Sequence, residues 1–122
     1  MGIEKSTLVV GASTNPQRYS YLAIERLQKH DVAPIFAMGL KEADVLGVHV
    51  ETKFPEFPVD TVTLYVGPKN QDAVRDYLHE YQPNRVIFNP GTENQNLMQS
   101  LLAKGVDAIN ACTLVMLASN QY

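Results

Sequence analysis

Apolar residues gather along this chain in short runs with little alternation, at 7–11 (TLVVG), 33–39 (APIFAMG), 61–67 (TVTLYVG), 85–91 (RVIFNPG) and 105–110 (GVDAIN). Runs of this length, rich in β-branched residues, predict strands buried on both faces of a parallel sheet. Between them the period changes to that of a helix. Val74, Tyr77, Leu78 and Tyr81 form one apolar stripe at i, i+3, i+4 and i+7. Met98, Leu101 and Leu102 make a second, closed by Gly105. Residues 20–30 (SYLAIERLQKH) supply a third helix with Ala23, Ile24 and Leu27 inward, and 112–119 (CTLVMLAS) a short fourth. The alternation implies right-handed crossovers and a single Rossmann-like α/β/α domain over residues 1–122. Its expected core is a five-stranded parallel sheet of order 3-2-1-4-5. Residues 40–60 interrupt the pattern. They predict one helical turn near 42–46, an extended piece at 48–50, a reduced second crossover helix and a thinly covered flank.

A chain of 122 residues with 45% apolar and 19% charged residues suits one globular domain. Its net charge of −3 argues against nonspecific nucleic-acid binding. No apolar run approaches the roughly 20 residues that span a bilayer. Cys112 is the only cysteine, so neither an internal disulfide nor a structural zinc site is expected. The opening MGIEKS carries no secretory leader, and a cytoplasmic setting follows. The apolar last helix and the 40–60 flank permit a homodimer.

Four of the seven glycines, Gly11, Gly39, Gly67 and Gly91, end predicted strands. In an open α/β sheet those ends share the rim where ligands bind. Gly67-Pro68 and Asn89-Pro90-Gly91 stiffen two of the loops. The first loop begins as a dinucleotide turn at Gly11 but has Ser13 and Pro16 where the G-x-G-x-x-G motif needs glycines. Either Asn15, followed by Pro16, or Ser20 is the expected N-cap of the helix behind it, which aims N–H groups and a positive dipole end at a phosphate. Ser13, Thr14, Asn15 and Arg18 add donors there. An NAD site wants an acidic residue after the second strand; Met38-Gly39-Leu40-Lys41 offers a lysine, which suits a ribose phosphate, as in NADP or coenzyme A.

Thr92 and Gln95 have the spacing of a capping box, with Glu93 in the first turn as either a cap or a catalytic carboxylate. Cys112 begins the last helix, where it can meet a pantetheine thiol or act as a small buried apolar residue. His30, His49 and His79 read as surface histidines, since no spacing joins them to a carboxylate. Metal-ligand spacings, a nucleophile elbow and a Walker loop are absent, so no catalytic residue is assigned.

The segments VVGAS-x-NP-x-R-x-SY (9–21), VLG (45–47), VDTVTLYVGP (59–68), FNPGTEN (88–94) and ACTLVML (111–117) resemble the small single-domain CoA-binding protein family. That family is similar in fold to the CoA-binding domain of succinyl-CoA synthetase α chains. The resemblance implies that Gly11, Ala12, Ser13, Asn15 and Arg18 surround the pyrophosphate. It places Met38, Gly39 and Lys41 toward adenosine, and Val66, Gly67, Pro68, Pro90, Gly91, Thr92 and Glu93 along the cleft. The chain departs from many relatives at Met38-Gly39, where they carry Asn-Pro, and at Tyr19, where they carry proline. The expected ligand is coenzyme A or an acyl-CoA, held by a carrier or sensor without chemistry of its own. An NADP-binding enzyme or redox regulator is the alternative. A receiver-type interaction module would need acidic residues where Gly11, Gly39 and Gly67 stand.

Overall fold

The computed structural model describes residues 2–122; Met1, included in the expected domain, lies outside the described residues. β1 (Ile3–Val10) runs through the middle of the sheet. Its continuous apolar run serves both faces, with Leu8 and Val10 in one core cluster and Val9 in the other. β2 (Val32–Met38) and β5 (Thr61–Leu64) pair with it in parallel, and β6 (Arg85–Phe88) and β7 (Asp107–Asn110) extend the sheet beyond β5. The expected Rossmann-like α/β class holds.

The sheet has seven strands rather than five, in the order β3-β4-β2-β1-β5-β6-β7. β3 (Ala43–Val45) replaces the helical turn expected near 42–46, and it pairs as an antiparallel hairpin with β4 (Val48–Glu51), which falls on the extended piece expected at 48–50. Leu46 and Gly47 have φ of +53° and +85°, the paired positive values of a two-residue hairpin turn. The flanking residues alternate, with Val45 and Val50 buried and Asp44, His49 and Glu51 exposed. That period of two defeats a helix. β4 runs parallel to β2 and takes the place expected for strand 61–67. The five expected strands therefore fall in the order 2-1-3-4-5, with the hairpin as an outer border.

α1 (Tyr19–Lys29) and α4 (Thr113–Ala118) cover one face, and α2 (Asp72–Tyr81) and α3 (Gln95–Leu102) the other. Ala23, Ile24 and Leu27 are buried, as are Val74, Tyr77 and Leu78. On α3 the buried pair is Leu97 and Leu101, while Leu102, expected inward, is half exposed. Gly105, at φ +85°, ends the helix as expected, and the N–H of Val106 returns to the Leu101 carbonyl at 3.1 Å. Two expected caps are corrected. Asn94, not Thr92, caps α3, its Oδ1 accepting from the Leu97 N–H at 3.1 Å. α1 starts after Arg18, so neither Asn15 nor Ser20 caps it.

The second crossover, residues 52–60, carries no helix. Aromatic packing closes that flank instead. Phe54 stacks on Tyr77 with ring centres 5.1 Å apart, and Phe57 meets Phe36 edge-on. The Tyr77 hydroxyl donates to the Phe57 carbonyl at 2.9 Å. Burial pushes the Tyr77 and Tyr65 hydroxyls up to about 12. Both stay neutral in the fold at a pH where an unfolded tyrosine ionises, so their contribution is complete below pH 10 and lost as pH climbs through 12. Absorbance titration should therefore find Tyr65 and Tyr77 ionising only near pH 12, with thermal stability falling between pH 10 and 12. Among the described residues no helix is long and apolar enough to cross a membrane.

Candidate functional site

The strand order reverses between β1 and β5, which places the switch point at the loops that follow them. Three loops meet there, main chain against main chain. Gly11 has φ +93°, and a Cβ on it would lie 3.0 Å from the Tyr65 carbonyl and from Val66 Cγ1. A Cβ on Gly39 would lie 2.6 Å from the Ala12 oxygen. The Met38 carbonyl accepts from the N–H groups of both Gly11 and Ala12, each at 2.9 Å. Those two N–H groups are therefore used inside the protein, and what Gly11 and Ala12 give the rim is shape. A Cβ on Gly67 or Gly91 would meet nothing within 4 Å.

Residues 11–18 fold into a polar turn. Ser13 Oγ accepts from the Asn15 N–H at 3.1 Å, and Asn15 Oδ1 from the Gln17 N–H at 3.0 Å. The Asn15 carbonyl accepts from the Arg18 N–H at 3.0 Å. This sets the exposed Arg18 at the mouth of α1. No side chain caps the helix, and the N–H groups of Tyr19, Ser20 and Tyr21 find no acceptor among the described residues. Unpaired donors and the positive dipole end thus stand together where the loop after β1 ends, on the rim that holds the switch point.

Two buried amides that sequence reading missed hold the remaining loops. Asn89 Nδ2 donates to Thr63 Oγ1 at 2.7 Å and to the Leu64 carbonyl at 2.9 Å, while its Oδ1 accepts from the Thr113 N–H at 2.9 Å. Gln71 Nε2 donates to the Val66 and Thr92 carbonyls, and its Oε1 accepts from Asn94 Nδ2. Each amide ties several main-chain segments together where backbone ladders have ended, because buried polar groups must find partners. Thr92 points inward, its hydroxyl donating to the Asn89 carbonyl at 2.8 Å, and the Glu93 carboxylate braces its own loop by accepting from the Gly91 N–H at 2.9 Å. Pro90 and Gly91 form an exposed lip. Cys112 is half-buried at the start of α4, and the buried Tyr65 hydroxyl makes no hydrogen bond among the described residues.

Residues 5–118 match the family described as CoA binding domain. The chain belongs to that family. This CoA binding domain is similar to a crystal structure of an uncharacterized protein, with 42% identity, a TM-score of 0.93, and 99% of this chain and 100% of that one covered. A hypothetical protein from Pyrococcus horikoshii OT3 shares the fold at 23% identity and a TM-score of 0.82, over 92% of this chain and 80% of its own. A Thermus thermophilus structure does so at 15% identity and a TM-score of 0.83, over 98% and 91%. No curated protein matches the chain.

In the CoA binding domain, Gly11, Ala12, Ser13, Asn15 and Arg18 lie in one loop, with Val66, Gly67 and Pro68 in the loop across the switch point. Met38 and Gly39 sit between this loop and the hairpin, and Lys41 is exposed beyond them. Two surface depressions open at the opposite rim, one beside Gly2, Glu4 and Asp31, the other beside Ser6, Asp60 and Asn84. Neither contains an expected site residue or an uncapped helix, so the C-terminal rim remains the candidate site. His49 is exposed as expected, but it does not stand apart from carboxylates: the hairpin places it within 3.3–3.6 Å of those of Glu42, Asp44 and Glu51.

Proposed function

We propose that the rim binds coenzyme A or an acyl-CoA and serves as a cytoplasmic carrier or sensor without chemistry of its own. The observation that carries this reading is the uncapped first turn of α1 at the switch point, with Arg18 beside it. The diphosphate sits against those N–H groups, with Ser13 and Asn15 shaping the turn. Adenosine extends toward Met38, Gly39 and Lys41, where the lysine meets the ribose phosphate. Pantetheine follows Val66, Gly67 and Pro68 toward the Pro90-Gly91 lip, Glu93 and Cys112. Membership of the CoA binding domain family supports the ligand class.

Calorimetry with CoA and dephospho-CoA tests this assignment. CoA should bind more tightly, and Lys41→Ala should erase the difference. At a hundredfold excess over Kd, CoA should add about 2.7 kcal/mol to stability. Gly67 has φ −67° and ψ 163°, an ordinary extended conformation, and faces open space. Gly67→Val should therefore melt like the parent yet bind CoA more than tenfold less tightly. Absence of heat with CoA would defeat the proposal.

A further inference from the structure

The β3–β4 hairpin gathers one imidazole and three carboxylates at the border of the sheet, all exposed. Asp44 and His49 are direct cross-strand partners, and Glu42 and Glu51 lie at the neighbouring positions. His49 Nδ1 is 3.3 Å from Asp44 Oδ1. A carboxylate only accepts, so Asp44 accepts from a protonated Nδ1, and Nε2 is the ring atom a metal ion would take in place of a proton. Nε2 faces Glu42 Oε1 at 3.5 Å and Glu51 Oε1 at 3.6 Å. One ligand atom from each of Glu42, His49 and Glu51 lies within 4.8 Å of the others.

We propose that Glu42, His49 and Glu51 form a surface site for a zinc-class divalent cation, with Asp44 as the positioning residue behind the imidazole. Zinc holds nitrogen and oxygen ligands at about 2.0–2.2 Å, which puts tetrahedral neighbours roughly 3.4 Å apart, close to the spacing of Nε2 from each carboxylate. A carboxylate on the far ring nitrogen is the usual outer support of a metal-bound histidine, fixing both tautomer and ring orientation. An acidic patch alone would supply neither the nitrogen ligand nor that support. Without a metal ion, a proton on Nε2 takes that place between two glutamates whose like charges on adjacent strands otherwise repel. The fourth position is left to water, since all three ligands face solvent.

Titration of the tag-free chain with zinc chloride at pH 7, followed by calorimetry, tests the proposal. One zinc per chain is expected, lost in His49→Ala and weakened about 10–100-fold in Asp44→Asn. Glu51→Gln should weaken it as well. The substituted side chains are exposed, so melting curves without zinc should match the parent. Loss of the equivalent in His49→Ala together with the Asp44→Asn effect supports the site. No heat with the parent chain, or binding unchanged in His49→Ala, overturns it.

Discussion

Asn89→Ala should lower the unfolding free energy by about 3 kcal/mol, roughly one for each hydrogen bond its amide makes. The side chain is buried and bonds to Thr63, to the Leu64 carbonyl and to the Thr113 N–H. Alanine leaves a main-chain carbonyl and an N–H without partners in a space closed to bulk water. Such buried orphans cost more than the bonds themselves contribute. For a chain of this size the melting temperature should fall by about 10 °C. Urea unfolding with an unchanged slope would confirm an effect on the native state. A change below 1 kcal/mol would mean that β5, β6 and α4 are held at the rim by something else.

Gly39→Ala is expected to destabilise by about 2 kcal/mol, the middle of the range for overpacking. Gly39 is not among the glycines at positive φ, so alanine brings no backbone strain. The cost is collision: the new methyl group would lie 2.6 Å from the Ala12 oxygen and 3.1 Å from Val50 Cγ1. Ala12 cannot easily retreat, because its N–H is bonded to the Met38 carbonyl at 2.9 Å. Thermal melting of Gly39→Ala beside Gly67→Val separates two uses of glycine on one rim. The first should lose stability; the second should lose only ligand. Equal melting of the two would show that the loops have more freedom than the contact at Gly39 allows.

The fold was legible where a residue's environment repeats along the chain. β1 reads as an unbroken apolar run because both its faces are covered, and the Val74, Tyr77, Leu78 stripe reads as a helix because only one of its faces is. The hairpin was harder to see. Its strands have three and four residues, too few for alternation to stand out, and its turn places Leu46 rather than asparagine or aspartate at positive φ. Without that pairing the strand order has no place for β4, and His49 stands apart from carboxylates that only cross-strand pairing brings near.

Glycine and proline marked the rim, because strand ends demand them whether or not a ligand follows. Asn89 and Gln71 gave no comparable signal. A buried amide that joins segments 21 to 26 residues apart has no local periodicity, and its partners are mostly main-chain atoms that any sequence would offer. Thr92 shows the opposite failure. Its spacing to Gln95 fits a cap, yet the Asn89 carbonyl claims its hydroxyl, and Asn94 caps two residues later.

The hairpin also decides how the sheet ends. A strand arriving from another molecule would find only the three residues of β3 to pair with, and would have to lie beside the carboxylate of Asp44 while Glu42 waits at its end. Short, charged margins of this sort discourage polymerisation through shared backbone ladders. Growth of the sheet from that side is thereby disfavoured, which leaves side-chain surfaces or the other margin, at β7, as the better routes for pairing two copies.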